Sequence, residues 1–116
     1  MKPSELLKAA KAVIADKVKW VQGDFAVDKQ GNHVMGHDPT ACKFCSVGAI
    51  QKVMGRINTK KEPEKLQLAK FARLYLDKAI PVSFDDGIAV FNDSFNHREV
   101  MLLWDKAITL AEKDGK

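Results

Sequence analysis

Residues Asp38 to Ile57 read DPTACKFCSVGAIQKVMGRI, the longest stretch of the chain that is apolar on more than one side. Asp38 has the chemistry of an N-cap, because its carboxylate can accept from free backbone N–H groups, and Pro39 suits the first helical position. The pattern predicts a central helix from Pro39 to about Ile57. Cys45, Ala49 and Val53 recur at helical spacing, while Val47, Ile50, Met54 and Ile57 widen the apolar surface beyond one stripe, as in a helix covered on two sides. Gly48 costs about 1 kcal/mol relative to Ala inside a helix, so it predicts another backbone or a large ring packed close against that point.

Toward the N-terminus, Ser4 reads as the N-cap of a first helix running to about Lys17, with Leu6, Leu7, Ala10, Val13 and Ile14 on one face. The helical period fails from Trp20. Phe25, Val27 and Val34 flank the polar segment Asp28-Lys-Gln-Gly31-Asn32, which reads as a two-stranded hairpin with Gly31 in its turn. Toward the C-terminus, Pro63 opens a helix with Leu68, Phe71, Ala72, Tyr75, Leu76 and Ala79 in one stripe, and Pro81 ends it. Ser83 and Asp86 have capping-box spacing for a short helix from Phe84 to Phe91. In the last helix Asn96 is the N-cap, Glu99 its reciprocal partner, and Phe95 and Val100 stand at staple positions. This places His97 at the first helical position with its ring free to face solvent or the Gln22 loop. The expected fold is mainly α: a compact single domain over residues 1–116, with four to five helices and a small two-stranded β-hairpin.

The 116 residues are enough to bury a core without disulfides or metal. No apolar run approaches the roughly 20 residues of a membrane span, and the N-terminus alternates Lys and Ala instead of forming a signal segment. A cytoplasmic location with two reduced thiols is therefore the expectation. The net charge of +4 divides unevenly: residues 1–78 carry 15 Lys/Arg against 8 Asp/Glu, whereas residues 79–116 carry 4 against 7. The basic part could meet an acidic partner. Its lysines are scattered without interleaved exposed aromatics, which argues against nucleic acid.

Four motifs in order carry a resemblance: Trp20-x-Gln22-Gly23, Asp28-x-x-Gly31, Cys45-x-x-Gly48-Ala49-Ile50, and Asn92-Asp93 ahead of a helix beginning near His97-Arg-Glu-Val100. Together they span nearly the whole chain, which resembles a small family of uncharacterised bacterial and phage proteins. Where that family shows Trp-Asn-Asp this chain has Phe91-Asn92-Asp93, and His33, His37 and Cys42 lie outside the pattern. The resemblance implies a shared fold without a settled activity.

Three constellations compete for these residues. His33-x3-His37-x4-Cys42-x2-Cys45 offers four N/S ligands of the types that suit tetrahedral zinc. In a helix beginning at Pro39 the two cysteines would share a face, but His33 sits in the hairpin and need not converge on them. The expectation is no metal and no cofactor. A thiol hydrolase or transferase would use Cys45 as nucleophile, His97 as base, Asn92 or Asp93 as its orienter and Gln22 as an oxyanion donor. Against it, Cys45 would lie in the second helical turn, where the dipole's effect on a thiolate has faded. The structural reading explains most of the pattern. Asn92 and Asp93 shape the turn before the last helix, Asp28 and Gly31 shape the hairpin, Trp20 fills core volume, and Gln22 satisfies loop backbone. Trp20, Gln22, Asp28, Asn92 and Asp93 could also line one small ligand pocket. The reading favoured here is a protein-binding accessory protein, and the resemblance places it in a phage or mobile element.

Overall fold

The computed structural model describes residues 1–116 and begins with helix α1, Pro3–Ile14. Leu6, Leu7, Ala10 and Ile14 of α1 are fully buried, as the stripe predicts. Ser4 is not its N-cap. It lies inside the first turn, where its Oγ donates to the Lys116 carbonyl at 3.1 Å, and Lys2 holds the cap position. The helix stops at Ile14 instead of Lys17, because Asp16 accepts from the Val18 N–H and tightens residues Lys17–Lys19 into a 3₁₀ turn.

Strands β1, Ala26–Val27, and β2, His33–Val34, form the predicted antiparallel hairpin, with Ala26 opposite Val34 and Val27 opposite His33. Asp28 Oδ1 accepts from the N–H groups of Gln30 and Asn32, and Gly31 takes a positive φ of 83° that a side chain would resist. The sheet has three strands, not two. Strand β3, Lys43–Phe44, pairs antiparallel with the other edge of β1, in the order β2-β1-β3.

That third strand corrects the central helix. Helix α2 runs Ser46–Met54, not from Pro39, with Cys45 as its N-cap. Backbone groups that a longer helix would need are committed to the sheet: the N–H of Cys42 reaches Val27 O at 2.9 Å, and that of Cys45 reaches Phe25 O at 3.0 Å. Asp38 closes a turn instead, accepting from the N–H and hydroxyl of Thr40, and these bonds hold its pKa below the ordinary carboxylate value. At the other end Gly55, at φ 68°, terminates the helix, so Ile57 lies outside it. Gly48 has the predicted close neighbour, since a Cβ there would overlap the Phe25 carbonyl.

Helix α3 occupies Pro63–Ala79, with Ala72, Tyr75, Leu76 and Ala79 buried. Helix α4 spans Ile88–Ser94, displaced from the predicted Phe84–Phe91. Ser83 and Asp86 do not cap it; Asp77, from the last turn of α3, accepts from the Ile88 N–H at 2.9 Å. Phe84 stays outside and meets Phe91 and Phe95 edge-on, while Phe91 and Phe95 stack with centroids 4.3 Å apart. Helix α5, His97–Lys113, starts where predicted, with Asn96 Oδ1 accepting from Glu99 N at 2.8 Å and Glu99 Oε1 from Asn96 N at 3.4 Å. All five helices feed one hydrophobic core, whose largest fully buried side chain is Trp104. The result is a mainly α fold with a small antiparallel sheet, and no helix is long and apolar enough to cross a membrane.

Candidate functional site

Asn92 is fully buried, and it lies within α4 rather than in the turn before α5 where the sequence reading put it. Its Oδ1 accepts from Trp20 Nε1 at 2.8 Å, from Ser46 N at 3.0 Å and from Ser46 Oγ at 2.9 Å. Its Nδ2 donates to the Val21 carbonyl and to Asp93 Oδ1. Three donors on one atom and two acceptors on the other fix which way the amide points. Ser46 in turn accepts from Trp104 Nε1 at 3.0 Å. One side chain thus caps the first N–H of α2, holds the loop after α1 and connects to the α5 tryptophan.

Gln22 Nε2 donates to the carbonyls of Asn92 and Phe95, the backbone-satisfying role expected of it, and Asp93 accepts from the Gly23 N–H at 3.0 Å. Trp20, Gln22, Asn92 and Asp93 therefore do come together. Asp28 does not join them, since its carboxylate is used within the β1–β2 turn. No buried side-chain polar atom in the molecule lacks a partner, so the network is complete as it stands.

His97 is not free, as the sequence reading had it. Its Nε2 lies 2.7 Å from the Ile14 carbonyl, and its ring stands edge-on to Trp20 with centroids 5.4 Å apart. A carbonyl only accepts, so Nε2 carries the proton in this bond and cannot serve there as a base. No hydrogen bond links His97 to Cys45.

Cys45 is an N-cap rather than a second-turn residue, because β3 occupies the preceding positions; its Sγ accepts from Gly48 N at 3.4 Å. Burial pushes the thiol pKa up. The N–H groups of Gly48 and Val47 pull the other way, and the charge of Asp93 adds to the rise. Cys45 lines a cavity of about 150 Å³, shared with Gly23, Asp24, Phe25, His33, Ala89 and Asp93. Within it His33 Nδ1 is 3.1 Å from Asp24 Oδ1. Sequence reasoning missed Asp24 as a partner. The available signal was the hairpin itself, which folds residues just before β1 back beside the start of β2.

The zinc candidates do not gather. His33 is paired with Asp24, His37 is exposed, Cys42 precedes β3 and points its thiol at the Val27 carbonyl, and Cys45 caps α2. The two cysteines do not share a helical face, since only one of them touches the helix. No three His, Cys, Asp or Glu side chains converge closely enough to bind a metal ion.

A larger surface groove, of about 660 Å³, lies where the start of α1, the end of α2 and the first half of α3 meet. Met1, Val53, Met54, Leu68 and Phe71 give it an apolar floor. Lys65, Lys116 and Glu64 stand at its rim, with Lys65 ion-paired to Glu62 and the Lys116 ammonium 5.3 Å from the Phe71 ring centroid.

Fold and site together define a mainly helical domain whose loops are tied to one buried asparagine. The chain belongs to a family of unknown function, DUF6197, whose model matches residues 1–110. This agrees with the resemblance to an uncharacterised family. No curated protein and no solved structure matches the chain.

Proposed function

We propose that this protein binds a protein partner through the groove between α1, α2 and α3, as an accessory protein of a phage or mobile element. The carrying observation is the groove itself, about 660 Å³ of open space floored by Met1, Val53, Met54, Leu68 and Phe71. That volume takes two or three large apolar side chains, and methionine walls adapt to the shape of what they receive. Apart from Lys116, the groove's lining comes from the basic part of the chain, where Lys/Arg outnumber Asp/Glu by 15 to 8 over residues 1–78. The fitting occupant is an amphipathic helix of another protein, apolar on one face and acidic along its flanks. The Asn92 network supports this reading indirectly: its groups are spent on one another, which makes them a scaffold rather than a recognition surface.

The test places a photo-crosslinking residue at Gln67, beside the groove, and maps the captured peptide after irradiation in lysate of the producing cells. An acidic amphipathic helix, lost when Lys65→Glu and Lys116→Glu are combined and retained in Leu102→Glu, supports the proposal. Capture unchanged by the rim substitutions, or capture of nucleic acid, refutes it.

A further inference from the structure

The Cys45 cavity holds the groups that acyl transfer requires, in an arrangement different from the one the sequence suggested. We propose that it is a second site, independent of the groove, in which Cys45 accepts a short uncharged acyl group from an ester or thioester, with His33 as general base and Asp24 as its positioning residue.

The geometry supplies each part. His33 Nδ1 is engaged by Asp24 at 3.1 Å, which orients the ring, and Nε2 makes no hydrogen bond within the protein. A carboxylate on one ring nitrogen holds the proton there and leaves the other nitrogen able to accept one. His33 and Cys45 line the same space; no hydrogen bond joins them in the free protein, and the half-exposed ring turns about its hydrogen bond to Asp24 to reach the thiol. Because burial favours the neutral thiol, Cys45 needs such a base. The N–H groups of Gly48 and Val47, directed at the sulfur, favour the thiolate as the proton leaves. About 150 Å³ is room for a group of roughly benzene size. Phe25 and Ala89 suit an apolar chain, and Asp24 and Asp93 disfavour an anionic one.

In the step, the Cys45 S–H proton passes to His33 Nε2 while sulfur bonds to the acyl carbon. The bond from that carbon to the departing oxygen or sulfur breaks, and the leaving atom takes the proton from His33. Water reverses the sequence: it gives a proton to His33, bonds to the acyl carbon and releases Cys45, which recovers the proton.

The probe is p-nitrophenyl acetate on the full-length protein, read by p-nitrophenolate release and by mass mapping of the acetylated peptide. The expected result is one acetyl group on Cys45 in the folded protein. His33→Gln should slow acetylation by about 100-fold, the lower bound of general-base effects, and Asp24→Asn by a smaller factor. Cys42→Ser should leave the rate unchanged. His33 is 54% exposed, so His33→Gln keeps the fold, which a thermal melt verifies. A p-nitrophenyl ester of a dicarboxylic half-acid, carrying a negative charge, should react more slowly than the acetate. Acetyl on Cys42 or on lysines alone, an undiminished rate in His33→Gln, or labelling of Cys45 only in urea each overturns the proposal. The rim substitutions Lys65→Glu and Lys116→Glu should not alter acetylation, so the two sites fail separately.

Discussion

Trp20 Nε1 lies 2.8 Å from Asn92 Oδ1, across 72 residues of chain, and the bond joins the loop after α1 to the interior of α4. The same oxygen caps α2 through Ser46. A single amide therefore aligns three elements that have no local reason to meet, and its cost of removal is the most direct measure of how the fold is held.

Asn92→Ala leaves the Trp20 indole N–H and the Ser46 backbone N–H without acceptors, each worth about 1–3 kcal/mol when buried. The expected loss is about 3 kcal/mol or more, read from urea unfolding. Asn92→Asp keeps the acceptor but turns Nδ2 into an oxygen facing the Val21 carbonyl and the Asp93 carboxylate. Its carboxyl pKa is then raised in the folded state, so the variant is nearest to wild type at acid pH and weakens as pH rises through that value. Equal penalties at about pH 4 and about pH 8 would contradict this.

Gly48→Ala reverses the usual helix rule. In an open helix the change stabilises by about 1 kcal/mol, but here the new methyl meets the Phe25 carbonyl, and that carbonyl also holds the Cys45 N–H. Overpacking against backbone costs about 1–3 kcal/mol. A melting temperature at or above wild type would show that β1 can move away.

Asn96→Ala removes a reciprocal cap, a loss of about 0.5–2 kcal/mol. His97→Ala removes the bond to Ile14 O and the edge contact with Trp20. Its cost should be comparable, about 1 kcal/mol. Sequence reasoning alone ranks the cap well above the histidine; a denaturation pair with near-equal losses supports the structure-based expectation, and a His97→Ala variant as stable as wild type refutes it.

Cys45→Ser reads from sequence as a buried hydroxyl without a partner, at a cost of about 1–3 kcal/mol. The structure changes that expectation. Cys45 is an N-cap with Gly48 N pointed at its side chain, and serine is a preferred cap. Cys45→Ser should cost less than Cys45→Ala, whose loss is about 1 kcal/mol from the cap alone. Paired guanidinium melts test the order.

Tyr75 is buried and donates to Asp114 Oδ2 at 2.8 Å; that bond raises the phenol pKa, and burial and the charge of Asp114 raise it further. An acid raised above its unfolded value of 10.0 contributes stability that is intact below that pH and lost as pH climbs through the folded pKa. Tyr75→Phe should therefore be less stable than wild type near about pH 7 and should close that gap above about pH 10. A gap that stays constant across the alkaline range would remove Asp114 as the cause.

Much of the candidate scaffold is legible in the sequence. Trp20, Gln22, Asn92 and Asp93 stand out in the sequence and do meet, and Gln22 does satisfy loop backbone. Asp28 and Gly31 shape the β1–β2 turn, whose groups all lie within five residues. The hub role of Asn92 was not legible, because its partners Ser46 and Trp20 come from distant segments. Cys45 and His97 do not pair in the structure for the same kind of reason: the Ile14 carbonyl, where α1 ends, takes the imidazole.

The sequence by itself determined the stripes of α1, α3 and α5, the cap of α5 and the close approach at Gly48. Each depends on periodicity or on groups a few residues apart, where chain geometry leaves few alternatives. Tertiary structure alone decided where α2 and α4 begin. Residues 41–45 have helical spacing, yet the edge of β1 takes the N–H groups of Cys42 and Cys45, and Asp77 from α3 supplies the cap that Ser83 and Asp86 do not. It also decided that Cys45 and His33 line one cavity. A helix start is a competition for backbone hydrogen bonds, and the winning acceptors here lie on segments that only the folded chain brings near.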